Sequence, residues 1–219
     1  MKIGIITESC QNLPEIDESF DVFIVLGNFL PVFDKRLVTW NIINQVDYID
    51  NIFNPWLGKV NSKYKLILGG MNDHLAQFYG SQSSFYLAGD YIQDDLITIS
   101  GINFYGMPWV PSHYYDKEYL TAFKSREGNF FSLAVDSIHQ DTDVLITNTP
   151  PKLNFLSENT KTDGDIFLSK KIESLKNIKI HMFSLPCDVD INFERTINHK
   201  SVCCSQAAFL IRKFITLEI

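Results

Sequence analysis

The chain has 219 residues, 45% of them apolar, so it is long enough to bury a sizeable core, and one domain spanning residues 1–219 is expected. Its formal net charge of −7 argues against a nucleic-acid backbone or an anionic membrane as the main partner, because both attract clustered lysine and arginine. It has no 18-residue apolar run, and Glu8 stands where a signal peptide would still be apolar, which favours a cytoplasmic protein. Its four cysteines lack the paired spacing of a disulfide framework and are expected to be thiols.

Apolar runs and helix-like stretches alternate along the first half of the chain, as in a layered α/β or α+β fold. Short runs of apolar and β-branched residues predict buried strands, and apolar residues at helical spacing predict a helix. A hairpin is predicted within residues 95–108, because two β-rich runs there are separated by Ser100-Gly101. The other predicted elements of this half are strands at residues 2–7, 21–27 and 63–70 and a helix within residues 45–60.

The second half continues the same alternation and closes with a β-rich tail. Helices are predicted within residues 130–138 and 165–177, strands at 142–147 and 178–184, and one or two closing strands within 201–219. The strand 142–147 has a well-defined end, because Pro150 and Pro151 prevent its continuation. Neither a repeat nor a low-complexity tract divides the chain.

Five of the predicted strands end in short loops that carry polar residues or cysteine. In an open α/β sheet, ligands bind just beyond the carboxyl ends of the strands, so these loops are expected to form one rim around a site. Asn148 is notable among them, because an amide neither shuttles protons at neutral pH nor binds metals strongly. The loops begin at Glu8-Ser9-Cys10, Gly27-Asn28, Gly70-Met71-Asn72-Asp73-His74, Asn148 and Ser184-Leu185-Pro186-Cys187.

Two blocks of this chain resemble a branch of the calcineurin-like metallophosphoesterase family. They are GMPWVP, from Gly106 to Pro111, and DTDVLITNTPP, from Asp141 to Pro151, which are similar to the GSPWTP and DTDVLITHGPP-like stretches of that branch. The order and spacing of the similar blocks extend over nearly the whole chain. The resemblance implies an α/β fold, a sandwich of two mixed β-sheets flanked by helices, with the site at the strand ends.

The resemblance also implies that most metal ligands of the family have been replaced. Its enzymes hold two metal ions through Asp-x-His, Gly-Asp, Gly-Asn-His-Asp/Glu, a later His and Gly-His-x-His. A one-residue insertion would let Asn72 and His74 serve in the third motif. Otherwise the matching positions hold Glu8 and Cys10, Asn28, Met71 to Asp73, Asn148, and Leu185 with Cys187. The vestigial site is therefore expected at Met71, Asn72, Asp73, His74, Asn148 and Leu185.

A two-metal hydrolase needs a bridging carboxylate to offset the repulsion between the two dications, and Asn28 supplies no charge there. No cofactor is therefore the main expectation. The alternative is one zinc ion held by Glu8, Cys10, Asn28 and Cys187, since zinc accepts sulfur and oxygen ligands in a tetrahedral set. The two cysteines also fit small apolar fillers of a collapsed pocket or a reversible disulfide.

The resemblance and the lost ligands together favour a catalytically inactive phosphoesterase-like protein that acts as a protein-binding or structural subunit. Its expected partner is a protein or a larger assembly, and its candidate partner surface is Trp109, Tyr114, Tyr115 and Tyr119, because tyrosine and tryptophan anchor interfaces. Packing of these rings in the core is the competing interpretation. Two other functions remain open: a metal-dependent phosphoesterase with an altered, mononuclear site, and a ligand sensor that uses Asn28, Asn72, Asp73 and Asn148.

Overall fold

The fold consists of two β-sheets packed face to face, with helices on both outer faces. The computed structural model describes residues 1–7, 9, 13–112, 121–125, 129–152, 164–185, 193–195, 200–205 and 215–219. A core cluster made from the inner faces of both sheets joins the two halves, for example Ile5 and Ile24 of one sheet with Ile146 and Met182 of the other. This arrangement confirms the predicted sandwich of two mixed sheets.

The first sheet has the strand order β11-β1-β2-β3-β4. Strands β1 to β4 are parallel, and β11 runs antiparallel to β1. The central strands are buried almost throughout, as expected for parallel strands covered on both faces. The bounds are β1 Lys2–Thr7, β2 Ser19–Leu26, β3 Asn61–Leu68, β4 Asp90–Tyr91 and β11 Ile215–Glu218.

The second sheet has the strand order β5-β6-β7-β8-β10-β9. Strands β6, β7, β8 and β10 are parallel, and the edge strands β5 and β9 are antiparallel to their neighbours. The bounds are β5 Asp95–Ile99, β6 Ile102–Met107, β7 Val144–Thr147, β8 Ile180–Leu185, β9 Phe193–Arg195 and β10 Lys200–Ser205. In the described part of the predicted closing tail, the strands are β10 and β11, which belong to different sheets.

The predicted hairpin is confirmed. Ile99 pairs with Ile102, and the two residues between them, Ser100 and Gly101, both have positive φ, at 52° and 80°. This is the two-residue turn whose twist suits an antiparallel pair.

The helices cover the outer faces of the two sheets. Helices α1 to α3 contribute to a core cluster with the first sheet, and α4 and α5 to a cluster with β6 and β7. The bounds are α1 Val38–Tyr48, a π-helical segment Ile49–Phe53, α2 Asn54–Lys59, α3 His74–Tyr79, a 3₁₀ segment Gly80–Phe85, α4 Phe130–Asp136 and α5 Ile166–Ser174.

The first helix begins seven residues before the predicted helical region 45–60. Its fully buried side chains are the amides Asn41 and Gln45, whereas Ile42 and Val46 are partly buried against the core. Polar residues therefore interrupt the apolar stripe of its inner face and weaken the periodic pattern that predicts a helix.

Candidate functional site

The carboxyl ends of the parallel strands meet at one edge of the sandwich, where hydroxyl groups connect the two sheets. Thr7, the last residue of β1, donates its hydroxyl hydrogen to the carbonyl oxygen of Gly27 at 2.8 Å. The hydroxyl of Ser184 in β8 lies 2.9 Å from the same Thr7 oxygen. Since Thr7 has a single hydroxyl hydrogen, Ser184 donates to Thr7. The predicted rim thus brings together the ends of β1, β2 and β8.

Asp73 is a buried anchor for the loops that follow β2 and β3. Its Oδ1 accepts hydrogen bonds from the backbone N–H groups of Leu30, at 2.7 Å, and Phe29, at 3.1 Å. Its Oδ2 accepts from Gly70 N–H at 2.6 Å and lies 3.3 Å from Phe29 N. Three backbone donors therefore converge on one carboxylate, and such charge-assisted bonds are the strong ones.

Asn28, where the resemblance implies a bridging aspartate, is also engaged with the loop after β3. Its Oδ1 accepts a hydrogen bond from the backbone N–H of Asn72 at 2.8 Å. The two loops approach closely, since a β-carbon at Gly27 would lie 2.4 Å from the backbone N and Cα of Gly70. The ends of β2 and β3 are thus in direct backbone contact, and only glycine allows this approach.

Asn148 links the two sheets by hydrogen bonds. Its Nδ2 donates to the carbonyl oxygen of Gly69, after β3, at 2.6 Å and to that of Pro108, after β6, at 2.7 Å. A neutral amide can donate two hydrogen bonds, whereas a neutral imidazole can donate only one. The position at which the resemblance implies a metal-binding histidine therefore holds a group that crosslinks two backbone segments.

Two ionisable side chains at the rim are held in their neutral forms. Burial lowers the pKa of His74, the first residue of α3, below its ordinary value. Burial also raises the pKa of the Tyr91 hydroxyl well above its usual range, and the nearby negative charges of Asp73 and Asp94 add to that effect. The Tyr91 hydroxyl donates to Gln93 at 3.2 Å. Neither group carries charge at neutral pH.

Gln45 is a rim residue that the sequence did not single out. Its Nε2 donates to the carbonyl oxygens of Pro31, at 2.9 Å, and Asn72, at 2.7 Å. Its Oε1 accepts from the backbone N–H of Leu75 at 2.9 Å. Asn41, one turn earlier, accepts from the N–H groups of Phe33 and Asp34. The sequence signal was present as two amides spaced four residues apart, which places them on one face of a helix.

Residues 121–125 lie against the same rim. The N–H of Ala122 donates to the carbonyl oxygen of Met71 at 2.8 Å. The Phe123 ring is buried, and it lies against Gly69 so closely that a β-carbon there would be 2.6 Å from it. These contacts cover the loop after β3.

Trp109, one of the four candidate partner residues, packs within the protein. Its ring centroid lies 5.6 Å from that of Phe123 and 4.7 Å from that of Phe130. Its indole N–H donates to the Asp94 carboxylate at 2.6 Å. These contacts favour core packing for this ring. The other three candidates, Tyr114, Tyr115 and Tyr119, lie outside the described residues.

The predicted zinc half-site is described at one position only. Asn28 is placed, whereas Glu8, Cys10 and Cys187 lie outside the described residues. Four of the vestigial positions lie around the ends of β2, β3 and β7, namely Asn72, Asp73, His74 and Asn148. The Met71 carbonyl oxygen accepts from Ala122 N–H, and Leu185 is the last residue of β8. Among the residues that the structure describes, no group of three or more His, Cys, Asp and Glu side chains is placed to hold a metal ion.

The described donor set does not fit a two-metal centre. The carboxylate of Asp73 accepts backbone hydrogen bonds, the Oδ1 of Asn28 accepts from Asn72 N–H, and Asn148 donates through its amide nitrogen. Two dications need carboxylate and imidazole ligands that are directed at them. Asp73, the Oδ1 of Asn28 and the Nδ2 of Asn148 are engaged with backbone groups, which weighs against the sensor interpretation.

Known proteins share sequence with this chain, and solved structures share its two-sheet sandwich. No family model matches the chain. Metallophosphoesterase domain-containing protein 1 of Homo sapiens and that of Mus musculus are each 26% identical over 157 residues, which cover 60% of this chain and 47% of theirs. The chain therefore spans about half the length of these relatives.

Solved structures show the same fold at low identity. TT1561 of Thermus thermophilus superposes with a TM-score of 0.62 and 11% identity, covering 99% of this chain and 98% of that one. A second crystal structure gives a TM-score of 0.63 at 15% identity, covering 92% and 89% of the two chains. The sequence similarity to these metallophosphoesterase domain-containing relatives agrees with the resemblance to calcineurin-like metallophosphoesterases, and the neighbours share the fold. Within the described part of the chain, no helix is long and apolar enough to cross a membrane.

Proposed function

We propose that this protein is a catalytically inactive member of the metallophosphoesterase fold that serves as a protein-binding or structural subunit. The observation that carries the proposal is the engagement of its rim side chains with the backbone. Asp73 binds three backbone N–H groups, and Asn148 binds two carbonyl oxygens from different sheets. Hydrogen bonds at these positions stabilise the strand ends, a role that does not require a metal.

The chemistry of phosphoester hydrolysis explains why this matters. A two-metal site generates hydroxide, orients the substrate and stabilises charge on the phosphoryl oxygens. General acid or base catalysis without such a site contributes only about 10²–10⁴-fold. At the rim, His74 is buried and neutral, and the Asp73 carboxylate is surrounded by donors, so neither is presented to a substrate.

The second candidate function is a metal-dependent phosphoesterase with a mononuclear zinc site. The residue types at Glu8, Cys10 and Cys187 favour it, because one carboxylate and two thiolates suit tetrahedral zinc. Asn28 supports it less, because its amide oxygen already accepts from Asn72 N–H.

Turnover and metal content distinguish the two functions. The purified chain is assayed with p-nitrophenyl phosphodiester and phosphomonoester substrates in the presence of Mn²⁺ or Zn²⁺. The proposal expects Glu8→Ala to give the same background rate as the parent chain. Glu173→Gln on the exposed surface of α5 is the matched control. Activity that Glu8→Ala abolishes and Glu173→Gln retains would refute the inactive assignment.

The zinc hypothesis has its own measurement. Elemental analysis of protein prepared without chelators is expected to show no stoichiometric zinc. One equivalent of zinc that is lost in both Cys10→Ser and Cys187→Ser would instead establish the mononuclear site.

The remaining parts of the proposal concern organisation. We place residues 1–219 in one domain, supported by the core cluster that both sheets share. We also propose a cytoplasmic location and a protein partner, consistent with the acidic net charge of −7 and the thiol-type cysteines. A native complex of defined stoichiometry, isolated with the chain and dissociated only by denaturation, is the expected result of purification from its source.

A further inference from the structure

Helix α1 packs Ile42 and Val46 against the core, but it also buries two amides and leaves large apolar side chains on its outer face. Its inward side chains Asn41 and Gln45 are polar and only 1% and 0% exposed, whereas Trp40 and Ile43 on its outer face are 53% and 59% exposed. Surface helices normally bury an apolar stripe and present polar residues to water. The two inner amides form six hydrogen bonds with backbone groups of the neighbouring loops, at residues 31–34 and 72–75. The outer face is therefore fixed in place while its large apolar side chains meet solvent.

Charge is distributed along this face with opposite signs at its two ends. Arg36 lies just before the helix, and Asp47 and Asp50 lie beyond the apolar pair, all exposed. From Leu37 to Val46 the chain carries no charged residue. The sequence along the outer face is thus basic, then apolar, then acidic. Depletion of charge around a tryptophan, with charges at the margin, is typical of interface cores.

We propose that this face binds a second copy of the same chain, with the two α1 helices antiparallel across a two-fold axis. A two-fold contact is isologous, so a contact from residue i of one copy to residue j of the other is repeated from j to i. With the axis between Trp40 and Ile43, Trp40 of one copy faces Ile43 of the other. The same arrangement places Arg36 of each copy opposite Asp47 of its partner. The polarity of the face is therefore self-complementary in the antiparallel orientation, whereas a parallel one would oppose like charges.

The apolar area is in the range that a weak dimer needs. Trp40, Ile43 and Leu37 are each 53% to 59% exposed, which corresponds to about 100 Å² per side chain and about 300 Å² per copy. A standard interface buries about 800 Å² per partner, a little more than half of it apolar. A dissociation constant on the order of micromolar is therefore expected.

This inference goes beyond the proposed function, because the contact uses the outer surface of α1 and stands whether or not the strand-end site turns over a substrate. Sedimentation velocity of the chain alone, over about 1 to 100 µM, measures the association constant. The parent chain is expected to pass from monomer to dimer within that range. Trp40→Ser is expected to remain monomeric. Leu133→Ser is the matched control, since Leu133 is an equally exposed apolar residue, at 62%, on α4.

Charge reversal tests the orientation. Arg36→Asp and Asp47→Arg are each expected to raise the dissociation constant at least about tenfold, because each creates two like-charge contacts across the axis. The double variant restores two opposite-charge pairs and is expected to recover the parent value. Because both residues are exposed, circular dichroism should show unchanged folding in every variant.

Three results would overturn the proposal. The first is a parent chain that is monomeric throughout the concentration range, including the case in which the face binds a different protein. The second is a dimer that survives Trp40→Ser or dissociates with Leu133→Ser. The third is a double charge reversal that is no tighter than either single one.

Discussion

Replacement of Asp73 measures how much of the rim's stability depends on one carboxylate. Asp73→Asn keeps an oxygen at the Oδ1 position, which accepts from Leu30 and Phe29. Its amide nitrogen would replace Oδ2, which lies 2.6 Å from the N–H nitrogen of Gly70. Two donors would then face each other in a buried place, and the Gly70 N–H would lose its acceptor.

The expected loss follows from these contacts. Hydrogen bonds to a charged group contribute about 1.5–3 kcal/mol, and a buried donor left without an acceptor costs about 1–3 kcal/mol. Asp73→Asn breaks one such bond and weakens two others, so its free energy of unfolding should fall by about 2–4 kcal/mol. Asp73→Ala leaves three buried donors and should cost more, a large share of the roughly 5–15 kcal/mol that stabilises a domain.

Urea unfolding followed by tryptophan fluorescence provides the assay. With a slope of about 2 kcal/mol per molar urea, Asp73→Asn should lower the midpoint by about 1–2 M without changing the slope. Glu173→Gln, an exposed carboxylate replaced by the matching amide, is the control and should change stability by less than about 0.5 kcal/mol. If Asp73→Asn proved as stable as Glu173→Gln, Asp73 would not anchor the loops as described.

Three further predictions concern the same rim. Burial lowers the pKa of His74 from 6.5, so below about pH 6.5 the unfolded chain binds a proton that the folded ring does not. The free energy of unfolding should therefore fall as the pH drops from about 7 to 5, and urea titrations should show a weaker pH dependence for His74→Gln. If His74→Gln left the pH dependence unchanged, the ring would be accessible to protons in the folded state. Asn148→Ala removes two hydrogen bonds between the sheets and should cost about 2 kcal/mol, and an unaltered urea midpoint would contradict the crosslink. Gly27→Ala places a β-carbon 2.4 Å from Gly70 and should lower the free energy of unfolding by about 3 kcal/mol. Gly58→Ala, with open space around it in α2, is the control and should stabilise the fold by about 0.5–1 kcal/mol. Equal thermal midpoints for these two variants would refute the close backbone contact.

The buried parallel strands were predictable, because the sequence pattern that indicates each of them lies within the strand itself. Residues 2–7 were predicted as a strand with the observed bounds, and the hairpin turn at Ser100-Gly101 was placed correctly. A run of buried β-branched residues and a two-residue turn each specify their structure within a few positions. The three-residue strand β9 was not predicted, since a segment that short has no period to read.

The helix α1 shows the limit of the periodic signal. The sequence pattern does not predict residues 38–44 as helical, because buried Asn41 and Gln45 interrupt the apolar stripe to which Ile42 and Val46 belong. These amides are acceptable inside only because loops from other parts of the chain supply their hydrogen-bond partners.

The sequence alone determined which segments form the buried strands, and its resemblance to a known family implied that amides and thiols stand where metal ligands would be. Tertiary structure alone decided what the described residues at those positions do. Asn148 reaches Gly69, 79 residues away, and Asp73 accepts from Phe29 and Leu30, 44 and 43 residues away, so their roles depend on how distant segments pack. Local patterns specify local conformation, whereas the partners of a buried polar group are set only when distant backbone segments are brought within hydrogen-bonding distance.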